Sequence, residues 1–307
     1  MTRYLISRIV QLLPTILGIY LLTFFMMRIL PGDPAQFLEG DRGDEQSMAE
    51  TRRRLRLDEP ILVQLAAYLG DTLQGDLGRS FITNQPVSDM IGRAFVPTIQ
   101  LALTATLIAV ILGVPLGTLS AVRQNSIWDA LSRLVALIGV SIPVFWLGLQ
   151  MQVIFGVQLK WIPRISGYGI DERLILPAFS ASLGMLALLT RITRSTLLEV
   201  LNQDYIRTAK SKGLANMRVL TRHALVNALL PIVTVWGTSL AGLLSGALLV
   251  ETIFSWPGMG RLLVDSIGSR DYPMIQGLVI AFALIYAGIN LLIDLLYPFI
   301  DPRIRYS

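Results

Sequence analysis

The sequence has no cysteine and a single histidine, His223, in 307 residues. Without thiols, disulfide scaffolds, thiolate metal sites and cysteine nucleophiles are excluded. One imidazole excludes a cluster of histidine ligands, so no metal site and no other cofactor is expected. Only three lysines occur, Lys160, Lys210 and Lys212, and none follows a glycine. A P-loop of the form G-x-x-x-x-G-K-[ST] is therefore missing, and the chain is not expected to run P-loop ATP hydrolysis by itself. Charge is scarce as well, at 15%, against roughly a quarter in a soluble domain.

Hydrophobic residues fill the gap, at 53%, with a mean hydropathy of +0.60. A soluble fold of this size would expose much of that surface, which argues against a water-soluble enzyme. The same composition excludes disorder. A bilayer-spanning helix needs about 20 mostly apolar residues. Five stretches qualify, at 9–27, 97–122, 134–157, 224–250 and 274–299. A sixth, 174–190, is short, but a helix can run past the hydrocarbon edge while Arg191 and Arg194 snorkel. The first run is too long for a cleaved signal peptide, and Leu30, Pro31, Gly32, Asp33 and Pro34 follow it instead of a cleavage site.

The distribution of the +5 net charge sets an orientation. With the N-terminus inside, the inner side holds thirteen Arg and Lys against four acids, including the basic 191–222 stretch. The segment 31–96 carries eleven acids against seven arginines, and long loops count little in this rule. The expected topology is six spans with both termini inside. The chain reads as two parts: 1–96, a first span plus an extracytoplasmic segment, and 97–307, a five-helix core. In the outer segment, Asp58, Glu59 and Pro60 form a helix start. Ile61, Leu62, Leu65, Ala66, Leu69 and Leu73 follow at helical spacing, and Gly75 can end the helix. This is either a cap folded on itself or on the membrane surface, or a docking surface for something arriving from outside.

The largest inner loop, 199–222, carries a patterned run. Asp204 or Asn202 can cap a short helix. Tyr205, Ile206 and Ala209 fall on one face, with Arg207 and Lys210 on another. Gly213 permits a turn before Leu214, and Asn216 can cap a second helix toward His223. The run is either a basic surface loop or a docking helix.

This loop resembles the "EAA" coupling motif of ABC importer permeases, a short helix that inserts into a cleft of the ATPase subunit. Relative to that pattern Arg207 replaces the glutamate, Thr208 the first alanine, His223 an apolar residue and Val226 the proline, while Ala209, Gly213 and Leu225 are kept. The version here is similar to that of the dipeptide/oligopeptide/nickel subfamily, and nearest to its B-type dipeptide permease subunit. Five further stretches resemble that subfamily in order: 30–34, the Gly75 to Ser80 element, the Glu251 to Arg261 element, Arg270, Asp271, Tyr272 and Pro273, and the ending 301–306. The resemblance implies an all-α integral membrane protein of the type I ABC importer permease fold in a bacterial cytoplasmic membrane. It implies a non-catalytic, pore-forming subunit that imports di- or oligopeptides, or glutathione-like peptides, by alternating access. Nickel chelates or oligosaccharides are the alternative cargo. The implied partners are a second homologous permease, two ATP-binding subunits, an extracytoplasmic substrate-binding protein and lipid, with no nucleic acid. The residues implied in coupling are Asp204, Tyr205, Arg207, Thr208, Ala209, Gly213 and Leu214.

Glu251, Phe254, Pro257, Gly258 and Gly260 lie where the fifth span meets the outer surface. They form either a hydrated loop or an outer gate whose glycines allow close packing and motion. Pro14, Pro115, Pro143 and Pro231 interrupt spans and are expected to kink them. Gly113, Gly117, Gly139 and Gly148 are candidate helix contacts. An ion-coupled secondary transporter would instead show midplane charges and inverted repeats, and neither is evident. An intramembrane enzyme would need a catalytic constellation in the bilayer, and none is present.

Overall fold

The computed structural model describes residues 2–29, 45–54, 56–162 and 167–300. The motif at 30–34 and the ending at 301–306 lie outside the described residues. The described residues form thirteen α-helices and two π-helical turns. Their one β feature is an isolated antiparallel bridge between Arg79 and Pro86.

The helices are α1 (Thr2–Ile29), α2 (Glu45–Arg54), α3 (Ile61–Leu73), α4 (Val87–Val122), α5 (Ile127–Ser141) and α6 (Val144–Met151). A π-helical run, Gln152–Gln158, prolongs α6. Then follow α7 (Glu172–Leu201), α8 (Asp204–Ser211) and α9 (Asn216–Val219). A π turn, Leu220–Ala224, leads into α10 (Leu225–Gly246), then α11 (Leu248–Ile253), α12 (Met259–Gly268) and α13 (Tyr272–Ile300). Four segments are long and apolar enough to cross a bilayer: α4, α7, 216–244 and 272–297. The short stretch 174–190 does extend past its apolar core, to 30 residues. At the other end of the chain's first part, α4 runs unbroken through residues 96 and 97.

The stretch 134–157 is not one straight span. Its halves, α5 and the Val144–Gln158 helix, meet at 101°. The cause is local. Pro143 has no N–H to donate and clashes with a preceding helical turn. It also drives Ile142 out of the α region, to φ −85 and ψ 124. The other prolines do not break their helices: Pro14, Pro115 and Pro231 all sit inside continuous ones. The fifth apolar stretch ends earlier than 250, because α10 stops at Gly246 and α11 begins at Leu248.

The centre of the fold is α7, whose span is 61% buried against 22–33% for the other three. It packs on α4, α5, α6, α10 and α11. Lipid tails give apolar helices no hydrophobic reason to associate, so close backbone approach must supply the packing. On α4 this falls to a stripe of small residues, Ala105, Ala109, Gly113, Gly117 and Ala121, all buried. A Cβ on Gly117 would lie 2.5 Å from the Thr190 carbonyl oxygen, and one on Gly113 would lie 2.9 Å from that of Leu186. Gly139 on α5 meets Ala187 of α7 in the same way, and Gly148 on α6 meets Phe254. The four expected glycine contacts are therefore real contacts.

Candidate functional site

The 204–214 run folds as expected in outline. Helix α8 begins after Gln203, whose carbonyl accepts from the Ile206 and Arg207 amides at 3.1 and 3.3 Å. Neither Asp204 nor Asn202 caps it: no side chain does, and the Asn202 amide donates back to Leu198 O at 2.9 Å. Similarly, Ala215 rather than Asn216 stands at the start of α9.

The far end of α8 is more tightly specified. Gly213 has φ +76, a conformation that costs a residue with Cβ. Its amide donates to Lys210 O at 2.9 Å, and the Leu214 amide donates to Ala209 O at 3.4 Å. These two bonds make a Schellman closure, in which an apolar residue after the turn touches one in the last turn. Leu214 does pack on the cluster that holds Ala209, Ile206, Leu197 and Val219.

The closure fixes which face is offered outward. Ile206 and Ala209 are buried in the protein's own core. Ala209 thus belongs to the anchor of the helix and not to its exposed face, and Tyr205, at 44% exposure, does not share that face. Asp204, Tyr205, Arg207, Thr208 and Lys210 are exposed. An ion pair of 3.6 Å joins Arg207 to Asp204, both well exposed, so it contributes little to stability.

About three turns before α8 lies a group that sequence reading underrated. Asp129, fully buried, accepts from Arg194 Nε and Nη2 at 2.8 and 3.0 Å. It also accepts from Ser120 Oγ at 2.6 Å and from the Asn125 amide at 3.0 Å. Arg194 does not snorkel to solvent, because this carboxylate turns it inward. A bidentate arginine fork with further donors is what makes a buried charge tolerable. The clamp ties the α4–α5 turn to α7 close to where α7 hands over to α8. Its sequence signal was present: Asp129 is the one acid in a mostly apolar helix, with Arg133 one turn on and 3.5 Å from it.

The Glu251 to Arg261 element is a packed knot and not a hydrated loop. Glu251 is fully buried. Its Oε1 accepts from Thr98 Oγ1 at 2.7 Å, and its Oε2 accepts from the Gly260 and Arg261 amides at 2.7 and 3.0 Å. Burial pushes this carboxyl up, while the three hydrogen bonds pull it down. Thr98 also accepts from the Met259 amide at 2.8 Å, and Trp256 Nε1 donates to Pro97 O at 2.8 Å. The knot therefore joins α4 to the α11–α12 connection. A Cβ on Gly258 would fall 2.3 Å from the Glu251 carboxyl, and one on Gly260 would fall 2.7 Å from Leu248 Cα. Phe254 is buried, while Pro257 is exposed.

Two stretches singled out separately, 75–80 and 270–273, meet in space. Ser80 Oγ donates to Asp271 Oδ2 at 2.5 Å, and the Phe81 amide donates to Oδ1 at 3.0 Å. The Phe81 and Tyr272 rings sit edge to face, 6.4 Å apart. Asn290, a polar residue within the last span, donates back to Tyr286 O in its own helix at 2.9 Å. Among the described residues no group of acids and histidine stands ready to hold a metal.

The chain as a whole is matched in known proteins. Residues 113–306 match the family described as the binding-protein-dependent transport system inner membrane component, and residues 1–102 match that family's N-terminal component. The chain belongs to this family. The dipeptide transport system permease protein DppB of Alkalihalophilus pseudofirmus is 41% identical, with all of both chains covered. The glutathione transport system permease protein GsiC of Salmonella paratyphi A is also 41% identical over the full length of both. That of Escherichia coli K12 is 40% identical. A chain of the MetNI methionine ABC transporter, in an inward-facing conformation, superposes with a TM-score of 0.58 at 17% identity. It covers 69% of this chain and 96% of that one, and shares the fold. The protein is a multi-pass inner-membrane permease, with its all-helical fold of the type I ABC importer kind.

Proposed function

We propose that this chain is one pore-forming subunit of an ATP-driven importer for di- or oligopeptides, glutathione-like peptides included. The observation that carries the reading is α8: eight residues anchored by Ile206 and Ala209, closed by Gly213, with Asp204, Tyr205, Arg207 and Thr208 facing out. A helix so held transmits a push to the core without needing a flexible joint. In this reading it docks in the cleft of an ATP-binding subunit. Six spans, N-in and C-in, place it on the cytoplasmic side. That count takes α1 as the first span and the bent α5–α6 pair as the third. The division at 96/97, an outer segment before a five-helix core, belongs to the same proposal.

A second homologous permease completes the pore, two ATP-binding subunits drive it, and an extracytoplasmic binding protein delivers the peptide. The transport systems of the relatives, for dipeptide and glutathione, favour peptide cargo over nickel chelates or oligosaccharides. In the outer-gate reading, the Glu251 knot moves as one block with α11 and α12, since its packing leaves no slack inside it. The test is reconstitution with the partner subunits and binding protein in vesicles. ATP-dependent accumulation of a labelled dipeptide or glutathione is expected. Accumulation driven by an ion gradient without ATP would refute the reading.

A further inference from the structure

Helix α3 is amphipathic in the wrong sense for a water-facing cap. Its polar residues Gln64, Tyr68 and Thr72 recur every four positions and so share one stripe. That stripe faces the protein. Gln64 is buried and donates to the Leu57 and Glu59 carbonyls at 3.3 and 2.8 Å. Tyr68 stacks on Tyr20 of α1 with ring centres 5.2 Å apart, and lies 6.2 Å from Phe24. The opposite stripe, Leu62, Ala66, Leu69 and Leu73, is wholly apolar, and it points away: Leu62 is 71% exposed and Leu73 80%. Ile61 and Val63 flank it, also exposed.

Depth decides what covers this face. Tyr20 and Phe24 sit inside α1, nine and five residues before its end at Ile29. At 1.5 Å per residue, the Tyr20–Tyr68 stack lies about 13 Å below the end of that helix. A hydrocarbon core is about 30 Å thick, so α3 reaches well into one half of it. A helix is the form of backbone that lipid tolerates, because its own bonds satisfy its N–H and C=O groups. The charged residues flank the apolar stripe: Asp58 and Glu59 precede the helix, Asp71 lies in its last turn and Asp76 follows.

We propose that α3 is a membrane-embedded helix lying in the outer leaflet, with Leu62, Ala66, Leu69 and Leu73 against acyl chains and Tyr68 pinned to Tyr20. The leaflet assignment rests on the N-in topology proposed above. The embedding itself requires only that α1 spans. The acyl chains, and not a protein, are the occupant, because Tyr68 stacks at the level of Tyr20, where the neighbouring α1 residues Leu17, Leu22 and Phe25 are themselves exposed and apolar.

The absence of native cysteine makes the test direct. Leu62→Cys, Leu73→Cys, Gln74→Cys and Leu103→Cys, each at an exposed position, are labelled with an environment-sensitive fluorophore in the full complex, reconstituted in phosphatidylcholine–phosphatidylglycerol vesicles. Probes at 62 and 73 are expected to lose most of their emission to lipids carrying a nitroxide high on the acyl chain, and to keep it in iodide. The probe at 74 is expected to do the reverse. Iodide quenching at 62 and 73 would overturn the proposal in favour of a water-facing cap. Protection from both quenchers would overturn it in favour of a covering protein. A probe at 103, in the middle of α4, that escapes lipid quenching would overturn the membrane reading itself and this proposal with it.

Discussion

The 204–214 loop and the Glu251 knot both combine a short helix with an essential glycine, and they use it in opposite ways. In the loop, Gly213 is needed for its φ of +76, with no atom within 4 Å of where a Cβ would go. In the knot, Gly258 has an extended backbone, φ −93 and ψ 178, and is needed because the Glu251 carboxyl occupies the space of its Cβ. One glycine shapes the chain and the other yields volume. The loop consequently presents side chains to a partner, whereas the knot holds α4, α11 and α12 together. The difference teaches that glycine-rich motifs in a permease are separated by what surrounds the missing Cβ.

The sharpest break in that contrast is Gly258→Leu. The side chain has nowhere to go except through Glu251, so we expect loss of monodisperse protein in detergent, beyond the ~1–3 kcal/mol of ordinary overpacking. A normal elution profile would mean that the knot has slack. Next in size is Arg194→Ala, which leaves Asp129 buried with Ser120, the Asn125 amide and the exposed Arg133, 3.5 Å away, as its partners. With Arg133 still beside the carboxylate, the loss is expected to stay below the roughly 3 kcal/mol of a buried charge left wholly unpaired, readable as a lowered thermal midpoint. Adding Asp129→Leu is expected to recover much of it, and no recovery would show that the aspartate is needed for shape alone. Smaller again is Gly213→Ala, about 1 kcal/mol from the left-handed backbone. Gly213→Asn, which tolerates that region better, should cost less than Ala at the same site. Equal losses would point to contact and not conformation. Smallest on stability, within ~0.5 kcal/mol, is Arg207→Ala, since its ion pair is exposed. We nonetheless expect it to lower peptide uptake, which separates the offered face of α8 from its anchor.

Much of this is legible in the sequence. The apolar runs located the long helices, because a bilayer demands length and hydropathy that little else does. The helix from Ile61 to Leu73 and the turn at Gly213 followed from start and stop residues. What was not legible depended on distant partners. The burial of Glu251 rests on Thr98, 153 positions away, and the inward turn of Arg194 rests on Asp129, 65 away. Tyr205 and Ala209 lie one turn apart, yet only Ala209 is buried, because spacing along a helix says which residues align, not which side meets the core. The bend at Ile142 and Pro143 shows the same limit. Proline marked the place, but other helices keep an internal proline without breaking, and only the surrounding packing decides between a kink and a break.

The account turns on α8 touching an ATP-binding subunit, and a single cysteine reads that contact. Tyr205→Cys, on the exposed side of the helix, is placed in the otherwise cysteine-free chain and treated with a short homobifunctional thiol reagent. The partner ATPase carries single cysteines along the edge of its cleft. The account predicts a cross-linked permease–ATPase product from position 205 whose yield changes when ATP is added, and none from a cysteine at the outer residue Gln74. No product from 205 with any cleft cysteine, or labelling of 205 by an impermeant thiol reagent from the outside of intact cells, would contradict it.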